Sequence, residues 1–400
     1  MAVAVMVMTV GGANAASLTN NGQTVMNVFP IASNQTDLAN TLAGEPYADV
    51  MGTSISIQRE FRKALPSIYS NSQTEHYQER ADMGISGEGY ASVAAVTSHV
   101  VRPGTACAPG KKWVMWDVPF YMNEKQKPTD GALGYSNIAS GFATGLSRMI
   151  GESSAIGLAI GYDARRLTPK GGYHFRNTAD TLHMALYGGT NVGNFLIDAY
   201  AGWSRSWNRM EREVIDGSAR GINKANYKDN VFSAGLKASC VWIFRNDVRV
   251  TPSFGLDFSH VRVDAINERH HSGANAVSAL RGDKSNYSNL AMPLKVSVSK
   301  TFGSNFMAFR GVQSLWTPEV RAGYVPVVGK KRADIDFRDT GVPTISWNTT
   351  SAKFAGSYGT VGSSLKVKLA DKCIFEVAYD YTFGKKYSVH SVTGMYGVSF

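Results

Sequence analysis

The chain closes on Val392-Thr393-Gly394-Met395-Tyr396-Gly397-Val398-Ser399-Phe400. Side chains alternate across a strand with a period of two, so Val392, Tyr396, Val398 and Phe400 share one face. Thr393, Gly397 and Ser399 share the other. An apolar face that runs to the final residue is out of place in a water-soluble domain, where chain ends fray unless something holds them. It is in place where the last strand must pair with the first, closing a sheet so that no edge is left in lipid. Two positions depart from the pattern. Gly394 stands where an apolar side chain is expected, and Met395 lies on the side expected to be small or polar.

The same alternation runs back to Trp113. In the first stretch Val114, Trp116, Val118, Phe120 and Met122 form the apolar set against Asp117 and Pro119, which reads as lipid side against lumen side. Ile156, Leu158, Ile160 and Tyr162 oppose Gly157, Gly161 and Asp163. Phe195, Ile197, Ala199 and Trp203 oppose Asp198 and Tyr200. Further on, Phe232 and Leu236 oppose Ser233 and Lys237, and Phe254, Leu256 and Phe258 oppose Asp257. Leu294, Val296 and Val298 oppose Lys295, and Val320, Ala322 and Tyr324 oppose Glu319 and Arg321. Leu365, Val367 and Leu369 oppose Lys366 and Lys368, and Phe375, Val377 and Tyr379 oppose Glu376 and Asp380. The strands number about twelve, an even count as bacterial membrane barrels require. Their connections alternate short and long: Gly151-Glu152-Ser153 and Ala370-Asp371-Lys372 are short, whereas Arg165–Tyr173, Ser204–Asn226, Arg262–Asn289 and Gly329–Ser351 read as long loops. Short inner turns and long outer loops mark a membrane barrel, and a soluble sandwich has no reason to show them.

Composition agrees. Forty glycines in 400 residues suit strands and turns better than helix bundles. The most apolar run, Met1 to Val10, is about half of the ~20 residues a spanning helix needs, which excludes a helical inner-membrane protein. The formal charge of +10 is dispersed and not gathered into a basic, aromatic-interleaved stretch, so no nucleic-acid partner is expected. Cys107, Cys240 and Cys373 lack metal-ligand spacing, although a Cys107–Cys373 bridge is open in an oxidising compartment. No cofactor or metal site is expected.

Before the strands, Asp37 to Pro66 reads as a helix. Pro46 suits a first turn, Pro66 stops it, and Tyr47, Met51, Ile55, Phe61 and Leu65 recur at near-helical spacing. Tyr47 to Leu65 would reach ~28 Å, close to the thickness of a hydrocarbon core. Residues 67–111 are polar and glycine-spotted, a linker. Residues 1–36 read either as an atypical signal, apolar with an A-x-A ending but without a positive start, or as the broken end of a longer exported domain.

These features together carry a resemblance. Leu38-Ala39-Asn40-Thr41-Leu42-Ala43-Gly44-Glu45-Pro46-Tyr47-Ala48, followed by Arg59-Glu60-Phe61-Arg62-Lys63-Ala64-Leu65, resembles the segment that joins passenger to barrel in bacterial autotransporters (type V secretion). Ala43 replaces the usual serine. The ending at Val392, Tyr396, Val398 and Phe400 is similar to the signal that the barrel-assembly machinery reads. The resemblance implies an all-β membrane protein: a monomeric, twelve-stranded antiparallel outer-membrane β-barrel over residues 112–400, with an N-terminal α-helix (residues 37–66) in its lumen. It implies a translocator that secretes or displays its own passenger at the cell surface, of which residues 1–36 are at most a remnant.

The expected lumen lining is Asp117, Asp163, Asp198, Lys237, Asp257, Glu319, Arg321, Glu376 and Asp380, with Arg59, Glu60, Arg62 and Lys63 of the helix meeting it through charge. A passenger-free porin, or an adhesin acting through basic outer loops, is the alternative. Those loops carry Arg165, Arg166, Lys170, Arg205, Arg209, Lys330, Lys331 and Arg332, which suit the phosphates of lipopolysaccharide in the outer leaflet. No nucleophile elbow, phosphate-binding loop or zinc-protease motif appears. His270 and His271, near Asp264 and Glu268, come nearest to the carboxylate–histidine pairs of a barrel protease and read as a solvated loop. The tripeptide Arg281-Gly282-Asp283 reads as coincidence. No enzymatic activity is expected.

Overall fold

The computed structural model describes residues 53–54, 57–59, 61–62 and 113–399, less the connections 129–133, 151–153, 171–174, 193–194, 217–218, 245–247, 274–278, 305–313, 330–332, 341–345, 352–356 and 370–372. Twelve antiparallel strands close into one barrel. They are β1 (Trp113–Gln126), β2 (Tyr135–Ile150), β3 (Ser154–Pro169), β4 (Phe175–Val192), β5 (Phe195–Asp216) and β6 (Ala219–Cys240). Then come β7 (Val248–Val263), β8 (Ser285–Ala291, continued by Leu294–Lys300), β9 (Ser314–Gly329), β10 (Ser357–Leu369), β11 (Cys373–Gly384) and β12 (Tyr387–Ser399). The closing seam joins β12 to β1, from Val114 opposite Ser399 to Gln126 opposite Tyr387. That seam is what the terminal residues foretell: every strand has two neighbours, and no backbone edge meets lipid. The seam keeps one register throughout, and its pairing lapses only at Val118 and Pro119, the latter having no N–H to give, where Gly394 lies beside the Pro119 ring.

Alternation sorts side chains into an apolar wall and a packed interior. One outward row runs Leu146, Leu158, Leu186, Ala201, Ala234, Phe258 across β2 to β7. Leu158 is 64% exposed, a waste of apolar surface in water and the natural state in lipid. The adjacent inward row runs Gly145, Ala159, Ala185, Gly202, Ser233, Ser259, small residues that leave room inside.

β1 reverses the expected faces. Trp116, Val118, Phe120 and Met122 are buried inside the barrel, whereas Met115 and Tyr121 are exposed outside. Asp117 is therefore outward, paired with Thr144 and with the exposed Tyr396, and does not line the lumen. Apolar content alone misassigned this strand because its interior faces an apolar patch of protein instead of water.

The long loops also depart from expectation. Ser204–Asn226 is largely strand: β5 and β6 are each 22 residues, against the ~9–11 needed to cross a bilayer. Arg165–Tyr173 lies mostly within β3. Arg262–Asn289 and Gly329–Ser351 supply a separate four-stranded sheet, in the order Ser346–Thr350, Asp334–Asp339, Leu280–Gly282, Ile266–Asn267. These stretches looked like loops because strands beyond the hydrocarbon layer have no need of an apolar outer face. The small sheet packs on the extended strands through a buried core of Phe175, Met210, Val231, Tyr287, Ile335, Phe337 and Trp347, among others. It lies at the end of the barrel opposite the chain terminus, hereafter the distal end. Cys240 and Cys373 are free thiols, and Cys107 lies outside the described residues.

Candidate functional site: a helix built into the lumen

The described residues between Thr53 and Arg62 are helical, and they sit inside the barrel. Helical spacing puts Ile57 and Phe61 on one face and Ser54, Gln58 and Arg62 on an adjoining one. The barrel answers each face in kind. Ile57 packs with Met122, Ala139, Tyr387 and Val389. Phe61, 0% exposed, packs with Trp116, Val118 and Ala143 and stacks on the His183 ring at 4.6 Å. This patch is the reason β1 turns its apolar side inward. Gly161 makes the seat possible, since a Cβ at that position would come within 2.6 Å of the Phe61 ring. Met395 also packs against this cluster, which accounts for an apolar residue on the inner side of the last strand.

The polar face is threaded by hydrogen bonds from four strands. Gln58 donates through Nε2 to Ser233 Oγ at 2.9 Å, and its Oε1 accepts from the Ser204 hydroxyl. His183 lies 3.1 Å from the same Oε1 by its Nδ1, while its Nε2 meets Asp163 at 2.5 Å. Toward the distal end, Arg165 donates to Ser54 Oγ at 2.8 Å and pairs with Asp229 at 3.1 Å, both groups essentially sealed from water. Toward the chain terminus, Arg62 forms an ion pair with Asp257 and lies over the Tyr200 ring at 5.2 Å. Arg59 instead lies over the Tyr358 ring at 4.9 Å, near the distal start of β10. Buried polar groups carry a desolvation penalty that only good partners offset, so such a network fixes one seating of the helix.

Of the expected lumen residues, Asp163, Asp198, Lys237, Asp257, Glu319, Arg321, Glu376 and Asp380 do face inward, and only Asp117 does not. Asp163 and Asp257 reach the helix network. The others pair with one another across the wall: Lys237 with Asp198 at 2.8 Å, Arg321 in a fork with Asp380 at 2.9 and 2.8 Å, and Lys366 with Glu376 at 3.6 Å. Charge is thus one part of the hold, through Arg62. Glu60, Lys63 and Phe400 lie outside the described residues, as do the segments 1–36 and 67–111. Val392, Tyr396 and Val398 share the outward face, Val398 opposite Met115 and Cys373. Sequence reading missed Gln58, His183 and Ser204. Their one signal was a polar residue repeatedly inward at the same height on β3 to β6.

The other candidates dissolve. Glu268 is buried and held in a fork by Arg212, its second oxygen also accepting from Leu280 N–H at 2.8 Å, while His270 and His271 are exposed. Arg281 and Gly282 lie in a strand paired on both sides, and Asp283 is tied to Arg338 at 2.5 Å, so that tripeptide is not offered as a loop. Among the described residues no group of side chains could hold a metal ion.

A closed antiparallel barrel with a lipid-facing apolar wall and a helix locked in its lumen defines a membrane β-barrel of the self-plugged kind. The family model described as the autotransporter beta-domain matches residues 115–380, and the chain belongs to that family. It is a translocator domain of the outer membrane. In fold it is similar to the translocator domain of the autotransporter NalP from Neisseria meningitidis, with 12% identity, TM-score 0.54, and 84% of this chain and 99% of that one covered. It is also similar to the beta domain of the Bordetella autotransporter BrkA, with 15% identity, TM-score 0.53, and 72% and 100% covered. No curated protein sequence matches the chain.

Proposed function

We propose that the barrel passes its own N-terminal passenger outward and afterwards retains residues 37–66 as a plug. The direction of the helix carries this reading. Its Ser54 end meets Arg165 in the distal half of β3, and its Arg62 end meets Tyr200, nearer the start of β5. A helix set in that direction suits a passenger delivered through the distal end and a connection to β1 at the other. With the short turns and the terminus in the periplasm, the distal end and its small sheet are on the cell surface. A helix bonded to the wall on several sides suits a chain that has been threaded and left in place, and it suits an open diffusion pore poorly. The barrel acts as a conduit without chemistry of its own. Its partners are the passenger, the assembly machinery that reads Val392, Tyr396, Val398 and Phe400, and the surrounding lipopolysaccharide.

The test uses intact cells expressing the full chain with an epitope tag inserted just ahead of Asp37, so that the tag stays on the chain whether or not the apolar start is removed as a signal. The tag is expected to be lost to external protease without permeabilisation. A tag reachable only after the outer membrane is opened, in cells whose barrel is folded, would overturn the reading.

A further inference from the structure

The outer wall of β5 holds a feature that translocation does not use. Its outward residues run Ile197, Ala199, Ala201, then Trp203, Arg205, Trp207, Arg209. Trp203 still pairs with the exposed apolar residues Met184 and Phe232. One step outward, Arg205 lies between Leu182 and Asn230, and the next step sets Trp207 between Asp180 and Lys228. The apolar belt ends within this interval, and the two tryptophans bracket it. Amphipathic rings settle at headgroup depth, so Arg205 sits where lipid phosphates lie.

Two more cations share the patch. Arg262 is opposite Asn230 on the far side from Arg205, and Lys228 is diagonal to both. Strands ~4.8 Å apart with same-face neighbours ~6.8 Å along the chain put the three stems within ~10 Å, so their long side chains can converge. The nearby Asp180 is already engaged by Arg209 and by the Tyr162 hydroxyl at 2.6 Å. Among the described residues Arg205, Lys228 and Arg262 have no carboxylate partner, and Arg205 Nε is shielded from water with no acceptor. Like charges gathered on one face repel, and a shielded donor without an acceptor costs free energy, so the patch is incomplete without an anion.

We propose that Arg205, Lys228 and Arg262 bind the phosphomonoester headgroup of an acylated sugar lipid in the outer leaflet, with Trp203 and Trp207 against its acyl–sugar boundary. The site rests on the outward orientation argued above and makes the lipopolysaccharide contact specific to one side of the barrel.

The test is native mass spectrometry of the full chain refolded in detergent, titrated with bis-phosphorylated lipid A, dephosphorylated lipid A, phosphatidylglycerol or inorganic phosphate. Lipid A is expected to bind at least tenfold more tightly than phosphatidylglycerol, and dephosphorylated lipid A to lose that preference. The triple variant Arg205→Gln, Lys228→Gln, Arg262→Gln is expected to bind lipid A about a hundredfold more weakly, roughly fivefold for each cation removed. Should the triple variant fail to refold, Lys228→Gln alone is expected to show about the fivefold loss. Equal binding by the variants, equal binding of dephosphorylated lipid, or displacement of lipid A by millimolar inorganic phosphate would each overturn the site. Surface exposure of the N-terminal tag is expected to survive the triple variant, so failure of the lipid site and failure of the translocation reading are distinguishable.

Discussion

Phe61→Ala is the substitution that tests whether the helix is a plug or a passenger left loosely in a hole. Phe61 is fully enclosed, stacked on His183 at 4.6 Å and packed against Trp116, Val118 and Ala143. Truncating an enclosed phenylalanine typically costs about 3–5 kcal/mol. Almost all of that cost falls on the seated helix, because the barrel wall stays closed by its own hydrogen bonds. The equilibrium between seated and unseated helix then shifts by roughly 10² to nearly 10⁴ toward unseated. In a planar bilayer, single barrels that are nearly always closed are expected to show frequent openings, while the folded barrel remains resistant to unfolding by detergent at room temperature. Gly161→Leu gives an independent route to the same state: it leaves the helix sequence intact and fills the space the ring occupies, since even a Cβ would approach it to 2.6 Å. Conductance unchanged in both variants, with folding verified, would refute the account of the plug.

The Arg62–Asp257 pair is partly screened, with side chains 23% and 10% exposed, so a double-mutant cycle with Arg62→Ala and Asp257→Ala is expected to give a coupling of about 1–3 kcal/mol in thermal unfolding. A coupling near zero would assign the helix's hold to packing and to the hydrogen bonds of Gln58 and Ser54. Arg212→Met leaves Glu268 buried without its cation, which costs about 3–5 kcal/mol and should release the distal sheet. Limited proteolysis is expected to cut within residues 264–284 while the barrel stays protected, and an uncut sheet would show that Glu268 finds another partner. Asp283→Glu is expected to leave attachment to host cells unchanged, because Asp283 is occupied by Arg338 within a sheet. A clear drop in attachment would mean that the tripeptide is used after all.

Much of this architecture is legible in the sequence because lipid imposes a strict rule. Where a wall meets hydrocarbon, alternation must place apolar residues outward, and β3, β7, β9 and β11 obey it without exception at the positions read. The rule fails at three places, each where lipid is not the neighbour. On β1 the strong apolar alternation of Trp116, Val118, Phe120 and Met122 points inward, since the neighbour inside is Ile57 and Phe61 of the helix. Beyond the bilayer, β5 and β6 continue as strands with polar residues on both faces, and nothing in their pattern separates them from loops.

The third failure concerns the helix itself. Charged residues drew the reading toward Arg59, Glu60, Arg62 and Lys63, yet the seat is made equally by uncharged groups, Gln58 and Phe61 meeting His183, Ser204 and Ser233. Such residues carry no pattern along the chain because their partners come from separate strands, brought to one height only by the barrel's register. The inverted β1 held the missing information: an apolar face turned away from lipid needs an apolar partner inside. A barrel whose lumen held only water would have no use for a buried Trp116, so the occupied lumen is written into the first strand as well as into the helix.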